Sequence, residues 1–270
     1  MPAQLSALLL TLLAYPGTAR ASDHALEATY QDRGLVRSAT TQVAGLDAPL
    51  HYLETGPKAS QKLVLFLHGA AFSARTWQLT GVLDAVGAAG FRAIAIDLPG
   101  YGDFRRKQAP ADRRVLVSHF LDALGWTAAR QVVVVAASMG GSFGLPFVLT
   151  EPERVAGYVT AAALLDLETV AGCKLRPCSA TPTLLVWGEL DSPSGKTAAT
   201  TESLFGVHAQ KIVYPNAPHP CYLKYPEAFT YQLLEFLGVG SPAADAHAAQ
   251  RAAVSARTFP QPAIEVRAKW

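Results

Sequence analysis

The sequence has few charged residues and no block of a single charge. Charged side chains make up 16% of the 270 residues, and 23 Lys and Arg against 21 Asp and Glu leave a formal net charge of +2. Proteins that bind nucleic acids or anionic membranes usually carry clustered basic side chains. The sequence therefore predicts neither kind of partner, while its 50% hydrophobic content is enough for a large core.

Cysteine is also scarce, with three residues in the chain. No cysteine and histidine spacing resembles a zinc site, so no metal and no cofactor is predicted. Cys173 and Cys178 enclose a short loop, and in an exported protein they could form a small disulfide ring. Such a short ring is geometrically demanding, so two free thiols remain an open alternative.

Long hydrophobic runs are missing too, because no stretch reaches the roughly 20 apolar residues that a membrane-spanning helix needs. The shorter apolar run 5–13 is followed by Ala19-Arg20-Ala21, a pattern typical of signal-peptidase sites. We predict a signal peptide over residues 1–21 and an exported protein: secreted, periplasmic or in the lumen of the secretory pathway. No Lys or Arg precedes the run, and a cytoplasmic protein with an apolar leader is the alternative.

Predicted strands and helices alternate along the rest of the chain. Continuous apolar runs predict strands buried on both faces, and helical spacing of apolar residues predicts the helices between them. The predicted strands are 50–54, 62–67, 91–96, 131–136, 155–162, 183–187 and 211–214, and the predicted helices are 76–89, 111–124, 140–149 and 226–237, with one more helix between the last two strands. This order predicts an α/β fold with a doubly wound, mostly parallel sheet, helices on both faces and antiparallel strands at one edge.

The length suits one domain over residues 22–240. Residues 164–180 are short for a lid, so we expect a small cap and an open site. Residues 241–270 are rich in alanine with little periodicity, and we predict a disordered tail there.

A candidate nucleophile follows the valine-rich strand in the segment Ala136-Ala137-Ser138-Met139-Gly140. A serine flanked by small residues between a strand and a helix is typical of the nucleophile elbow, a sharp turn that exposes the hydroxyl. The first small residue is alanine where glycine is usual. The alternative is an ordinary serine that caps a helix.

An acid and a base follow later strands in the order that such a site requires. Asp191 comes after the strand that ends at Trp187, and His219 comes after the last strand. The order Ser, Asp, His along the chain is that of α/β-hydrolases. We therefore predict a catalytic triad of Ser138, His219 and Asp191, with Glu189 as the rival acid.

Oxyanion stabilisation needs rigid N–H donors beside the nucleophile. We predict that the backbone amides of Met139 and Ala70 provide them. His68 and Asp97 also end strands, but we expect the histidine to fasten its loop and the aspartate to lie away from the acid's position. His51, His119 and His208 show no partner pattern. Three aromatic residues are candidates for an acyl pocket, with core packing as the alternative: Phe72, Trp77 and Phe143.

Several longer segments carry a family resemblance. They include 65–69, Thr76-Trp77-Gln78, 93–100, Leu145-Pro146-Phe147 and especially 219–223, His-Pro-Cys-Tyr-Leu. Over roughly residues 48–238 the chain resembles the α/β-hydrolase domain-containing protein 14 group. The resemblance implies the α/β-hydrolase fold and places the triad on the same three residues.

The resemblance also implies an activity, because members of that group are serine hydrolases that cleave short acyl esters. We predict a carboxylesterase-like enzyme that forms an acyl-enzyme with a small-molecule ester. One member has been linked to lysine deacetylation with coenzyme A as acceptor, so an acyltransferase or protein deacylase is one alternative. An exported member would use water instead. A non-catalytic binding module on the same fold is the other alternative.

Overall fold

The computed structural model describes residues 36–101, 112–127, 129–173 and 177–239. The predicted signal peptide and the predicted disordered tail lie outside these residues. Within the described ranges, no helix has both the length and the apolar character needed to cross a membrane.

The described strands form one sheet whose order is β1-β2-β4-β3-β5-β6-β7-β8. Its members are β1 (Arg37–Thr41), β2 (Leu50–Thr55), β3 (Leu63–Leu67), β4 (Arg92–Ile96), β5 (Val132–Ala137), β6 (Val155–Ala161), β7 (Thr183–Gly188) and β8 (Ala209–Tyr214). β1 and β2 pair antiparallel at one edge, and β3 to β8 are parallel. The predicted mostly parallel sheet with an antiparallel edge is confirmed.

The described α-helices flank this sheet on both faces, also as predicted. They are α1 (Ala74–Leu79), α2 (Val82–Ala88), α3 (Leu116–Ala123), α4 (Gly141–Thr150), α5 (Leu167–Gly172), α6 (Ser192–Phe205), α7 (Cys221–Lys224) and α8 (Pro226–Phe236). Short 3₁₀ turns cover Ser138–Gly140, Pro152–Arg154 and Gly206–His208.

Strand β5 shows why the central strands appear in the sequence as continuous apolar segments. Every one of its side chains is buried. Val132 and Val134 belong to a core cluster with α3, α4 and α6, whereas Val133 and Val135 belong to a second cluster with α2 and α8. Successive side chains of a strand point to opposite faces, so a strand covered on both sides needs apolar residues throughout.

The neighbouring strands β3 and β5 lie at a topological switch point. α2, which follows β3 in the chain, packs on one face of the sheet, and α4, which follows β5, packs on the other. In open α/β sheets, ligands bind in the crevice that opens at the carboxyl ends of such strands. The loops after β3 and β5 therefore frame the expected position of the site.

Two predicted helices need correction. The helix predicted over 76–89 is two helices, because Gly81 adopts a left-handed conformation with φ of 76° and ends the first one. The helix predicted over 111–124 begins only at Leu116, after a turn closed by the bond from Val115 N to Asp112 O at 3.2 Å. The cap region between β6 and β7 contains α5, which had not been predicted.

Candidate active site

Ser138 lies at a sharp turn between β5 and α4. Its φ of 46° is a left-handed value that serine rarely adopts. A Cβ atom on Gly140 would lie 2.6 Å from the carbonyl oxygen of Leu67, and one on Gly141 would lie 2.3 Å from that of Leu164. The backbone thus crowds this turn on two sides, and glycine is required at both positions.

A further glycine, Gly144, lies where α4 packs on the strands behind the elbow. A Cβ atom on Gly144 would lie 3.2 Å from side-chain atoms of Leu67 and Val134, and 3.4 Å from the Cβ of Ala136. The first two distances are tight, so glycine at this position lets α4 pack closely on β3 and β5.

The loops that carry Asp191 and His219 lie directly against each other. A Cβ atom on Gly188, the last residue of β7, would lie 2.2 Å from the carbonyl oxygen of Ala217. The same oxygen accepts a hydrogen bond from the backbone N–H of Leu190 at 3.0 Å. A glycine at the end of β7 is thus what lets the histidine loop approach the aspartate loop.

The structure brings Ser138, His219 and Asp191 into one hydrogen-bonded chain. The distance from Ser138 Oγ to His219 Nε2 is 2.8 Å, and the distance from His219 Nδ1 to Asp191 Oδ2 is 2.6 Å. Glu189 instead accepts the backbone N–H of Asn216 at 2.8 Å. Of the two candidate acids, Asp191 is the one bonded to the histidine.

The carboxylate of Asp191 is buried, with its side chain 6% exposed. Burial alone would raise its pKa, but hydrogen bonds from His219 and Ser194 outweigh that effect, and the pKa lies below its usual value. The ionised form is therefore maintained next to the imidazole, where it can accept a hydrogen bond from the Nδ1–H group.

Ser194 is a site residue that sequence reasoning missed. Its hydroxyl lies 3.3 Å from His219 Nδ1, and its backbone N–H donates to Asp191 Oδ1 at 3.3 Å. Asp191 is the N-cap residue of α6, and Pro193 follows in the first turn. The sequence Asp-Ser-Pro-Ser is a recognisable helix start, which would have pointed to Ser194.

The loop after β3 packs against the nucleophile turn. A Cβ atom on Gly69 would lie 3.2 Å from Ser138 Cβ and 3.3 Å from the ring of Phe72. His68 is fully buried, bonds the carbonyl oxygen of Gly69 through Nδ1 at 2.8 Å and accepts the backbone N–H of Leu98 at Nε2. Burial lowers the pKa of His68 and so favours the neutral imidazole, the form whose Nε2 can accept the N–H of Leu98.

Of the three aromatic residues predicted for the acyl pocket, Phe72 is half-buried next to the site. Trp77 has no exposed surface and stacks on Tyr222, with ring centroids 4.9 Å apart. Phe143 is 4% exposed and lies under the guanidinium of Arg113 at 5.2 Å. Trp77 and Phe143 are therefore core residues. The sequence could not show this, because bulky aromatic rings occur both in cores and in pockets.

Two histidines, His51 and His119, lie differently from the sequence interpretation. His51, for which no partner was predicted, bonds Asp97 Oδ2 through Nδ1 at 2.9 Å. Asp97 Oδ1 accepts the backbone N–H of Ala74, the first residue of α1, at 2.7 Å. Asp97 therefore ties the end of β4 to the loop after β3. His119 bonds the carbonyl oxygen of Ala44 at 3.0 Å.

The cap is short and begins next to Ser138. The backbone N–H of Leu164 donates to the carbonyl oxygen of Ser138 at 2.7 Å. The side chains of Leu164 and Leu167 are 44% and 75% exposed and form an apolar margin at the start of the cap. Cys173 and Cys178 form a disulfide that closes the other end.

No group of His, Cys, Asp and Glu residues suited to a metal ion occurs in the described part of the chain.

The fold and this Ser-His-Asp arrangement define an α/β-hydrolase. The sequence pattern of the alpha/beta hydrolase family matches residues 64–265, and the chain belongs to that family. Among curated relatives it is similar to ABHD14B of Homo sapiens, with 34% identity over 212 residues, 74% of this chain and 95% of the relative. It is also similar to ABHD14A of Danio rerio, with 32% identity over 209 residues, 73% of this chain and 74% of the relative.

Solved structures support the same fold. A predicted CIB-like hydrolase from Thermoplasma acidophilum superposes with a TM-score of 0.64 at 21% identity, covering 75% of this chain and 97% of its own. Carboxylesterase CesB from Bacillus subtilis superposes with a TM-score of 0.58 at 20% identity, covering 82% and 100%. These identities are low, so the two likenesses concern the fold.

Proposed function

We propose that this protein is a serine hydrolase that cleaves short-chain acyl esters through an acyl-enzyme on Ser138. The observation that carries the proposal is the hydrogen-bonded chain from Ser138 through His219 to Asp191, with links of 2.8 and 2.6 Å. A serine hydroxyl becomes a nucleophile when an adjacent base can take its proton and a third group orients that base.

The carboxylate of Asp191 determines which histidine nitrogen carries the proton. Because Asp191 Oδ2 can only accept, Nδ1 of the neutral imidazole holds the proton and Nε2 offers its lone pair to the Ser138 hydroxyl. Ser138 Oγ then attacks the ester carbonyl while Nε2 takes its proton. The leaving alcohol departs with that proton, and water, activated by the same nitrogen, releases the acid.

The negative charge that develops on the carbonyl oxygen needs fixed donors. We propose the backbone amides of Met139 and Ala70 for this role. Met139 follows Ser138 in the 3₁₀ turn that leads into α4. Backbone N–H groups at the start of a helix point outward and can bind a negative charge. Ala70 belongs to the loop whose Gly69 packs against Ser138.

The preference for small substrates is inferred from the cap. In the described part of the interval between β6 and β7, the one helix is the six-residue α5, which is short for enclosing a long acyl group. Phe72, next to the loop that packs on Ser138, and the exposed Leu164, whose backbone bonds Ser138, are the apolar side chains that we propose for contacting a short acyl chain.

A second candidate function is the removal of acyl groups from protein lysines. The relative ABHD14B carries the name "putative protein-lysine deacylase", and this chain matches 95% of its length. An exposed cap would let an acyl-lysine side chain reach Ser138, and coenzyme A or water would accept the acyl group. A non-catalytic binding module is disfavoured, since binding alone requires no aligned hydroxyl, imidazole and carboxylate.

We also propose that the protein is exported and processed before Ser22. The disulfide between Cys173 and Cys178 supports this, because disulfides persist mainly in oxidising compartments. N-terminal sequencing of protein from the native host tests the proposal, and an intact Met1 on a protein retained in the cytoplasm would refute it.

The decisive test is labelling of the full chain by a fluorophosphonate probe, with turnover of p-nitrophenyl acetate measured in parallel. We expect both in the wild type, and loss of both in Ser138→Ala. Ser142→Ala is the matched control, because this buried neighbour bonds only the carbonyl oxygen of Met139 and Arg113 in the described structure. A folded wild type without labelling would refute the catalytic proposal. If the wild type is labelled, turnover of acetyl-lysine peptides separates deacylase from esterase activity.

A further inference from the structure

A second chain of serine, histidine and aspartate lies at the antiparallel edge of the sheet. Ser38 Oγ lies 2.9 Å from His51 Nε2, and His51 Nδ1 lies 2.9 Å from Asp97 Oδ2. The three side chains come from β1, from β2 and from the end of β4. None of them belongs to the hydrogen-bonded chain around Ser138.

The hydrogen bonds of this cluster orient it for proton transfer. Asp97 is 2% exposed, and its Oδ1 already accepts the backbone N–H of Ala74 at 2.7 Å. Its Oδ2 accepts from His51 Nδ1, which leaves Nε2 of the neutral imidazole with a lone pair directed at the Ser38 hydroxyl. The arrangement repeats the proton relay of the first site.

The strand register explains how the serine and the histidine meet. Ser38 pairs with Leu53 and Thr40 pairs with His51 in the β1–β2 ladder. Ser38 and His51 are therefore diagonal neighbours on one face of the sheet, a distance that an imidazole ring can bridge. The backbone N–H of Asp97 donates to the carbonyl oxygen of His51 at 3.0 Å, which fixes the carboxylate beside that ring.

A cavity of about 230 Å³ opens beside this cluster. Its polar lining residues are Ser38, His51, Ser73, Arg75, Gln78 and Asp97. The lining includes the side-chain amide of Gln78, whose N–H groups are the kind of donor that stabilises a developing oxyanion. The cavity gives a small ester access to Ser38, which lies on the exposed side of β1.

We propose that Ser38, His51 and Asp97 form a second nucleophilic site that reacts with small activated esters. Ser38 Oγ attacks the carbonyl carbon, and its proton passes to His51 Nε2. The bond to the leaving alcohol breaks, the alcohol takes that proton, and an acyl-Ser38 remains until water releases it. This site does not depend on the function proposed for Ser138. It reacts more slowly, because Ser38 lies on an exposed strand and not at a helix N-terminus.

The test uses the full chain carrying Ser138→Ala, a fluorophosphonate probe and peptide mapping by mass spectrometry. Ser60 is the internal control, since in the described structure this exposed hydroxyl bonds backbone groups and no side chain: the carbonyl oxygens of Lys62 and Gly90 and the N–H of Lys62. We expect at least about tenfold more adduct at Ser38 than at Ser60, and an approximately tenfold loss in His51→Gln, because a general base contributes at least that much.

The conservative His51→Gln variant keeps a polar side chain beside Asp97, and thermal melting verifies that it folds. Ser38→Ala changes only an exposed side chain and must abolish the adduct. Equal labelling of Ser38 and Ser60, or labelling of Ser38 that is unchanged in folded His51→Gln, would overturn the proposal. Labelling of Ser138 in the wild type is scored separately, so the two sites succeed or fail independently.

Discussion

Replacing Asp191 with asparagine should remove most of the activity without removing the fold. Asp191 Oδ1 accepts the backbone N–H of Ser194, and Oδ2 accepts from His219 Nδ1. An asparagine that keeps the first bond through its oxygen turns its NH₂ group toward His219. The imidazole must then place its proton on Nε2, and Ser138 loses its proton acceptor.

The opposite amide orientation is no better. It would direct the NH₂ group at the backbone N–H of Ser194, placing two donors 3.3 Å apart. We therefore expect kcat to fall about 10³- to 10⁴-fold, or about 4 to 5.5 kcal/mol of transition-state stabilisation. Loss of an aligned acid–base pair has effects of this size in other serine hydrolases.

Steady-state turnover of p-nitrophenyl acetate and the rate of fluorophosphonate labelling measure this effect. Glu189→Gln is the matched control, because this carboxylate lies two residues before Asp191 in the chain and bonds the backbone N–H of Asn216 rather than His219. A folded Asp191→Asn variant within tenfold of the wild type, beside a Glu189→Gln variant that loses activity, would show that the wrong acid has been assigned.

Three further predictions follow from the same contacts. Gly188→Ala should lower both activity and stability, because the new methyl group would lie 2.2 Å from a backbone oxygen of the histidine loop; wild-type turnover would contradict this. Burial lowers the pKa of His68, so its contribution to stability is complete above pH 6.5, the usual pKa of histidine, and is lost as pH falls through the lower folded value. Urea melts between pH 7 and 5 should show this slope, and a folded His68→Gln variant should show less of it. Reducing the disulfide between Cys173 and Cys178, five positions apart, should cost about 2 kcal/mol if the loop entropy of the unfolded chain dominates; an unchanged urea midpoint after reduction would exclude that account.

The sequence allowed the candidate site residues to be predicted where they directly follow a recognisable strand. The valine-rich β5, the strand ending at Gly188 and the last strand could all be recognised from apolar runs, and parallel strands bring their carboxyl ends together. The mostly parallel arrangement of the sheet and the meeting of Ser138, Asp191 and His219 were predictable for that reason. The roles of these residues in catalysis stay predictions until the variants are measured.

Features that depend on tertiary packing were not predictable in this way. Gly81 breaks a helical pattern that its neighbours continue, because it adopts a left-handed conformation with φ of 76° between α1 and α2. Trp77 is apolar and aromatic in any context, and only the structure shows it stacked in the core. The bond between His51 and Asp97 joins residues 46 positions apart through the antiparallel edge, which no local pattern records.

The hydrogen bond from Leu164 to the carbonyl oxygen of Ser138 has a consequence for remodelling this enzyme. It anchors the first residue of the cap to the turn that presents the hydroxyl, and Gly141 permits the close approach of the two segments. Everything from Leu167 to the disulfide lies beyond this anchor. A longer helical insert grafted into that interval should therefore enlarge the cap while leaving the geometry of Ser138 unchanged.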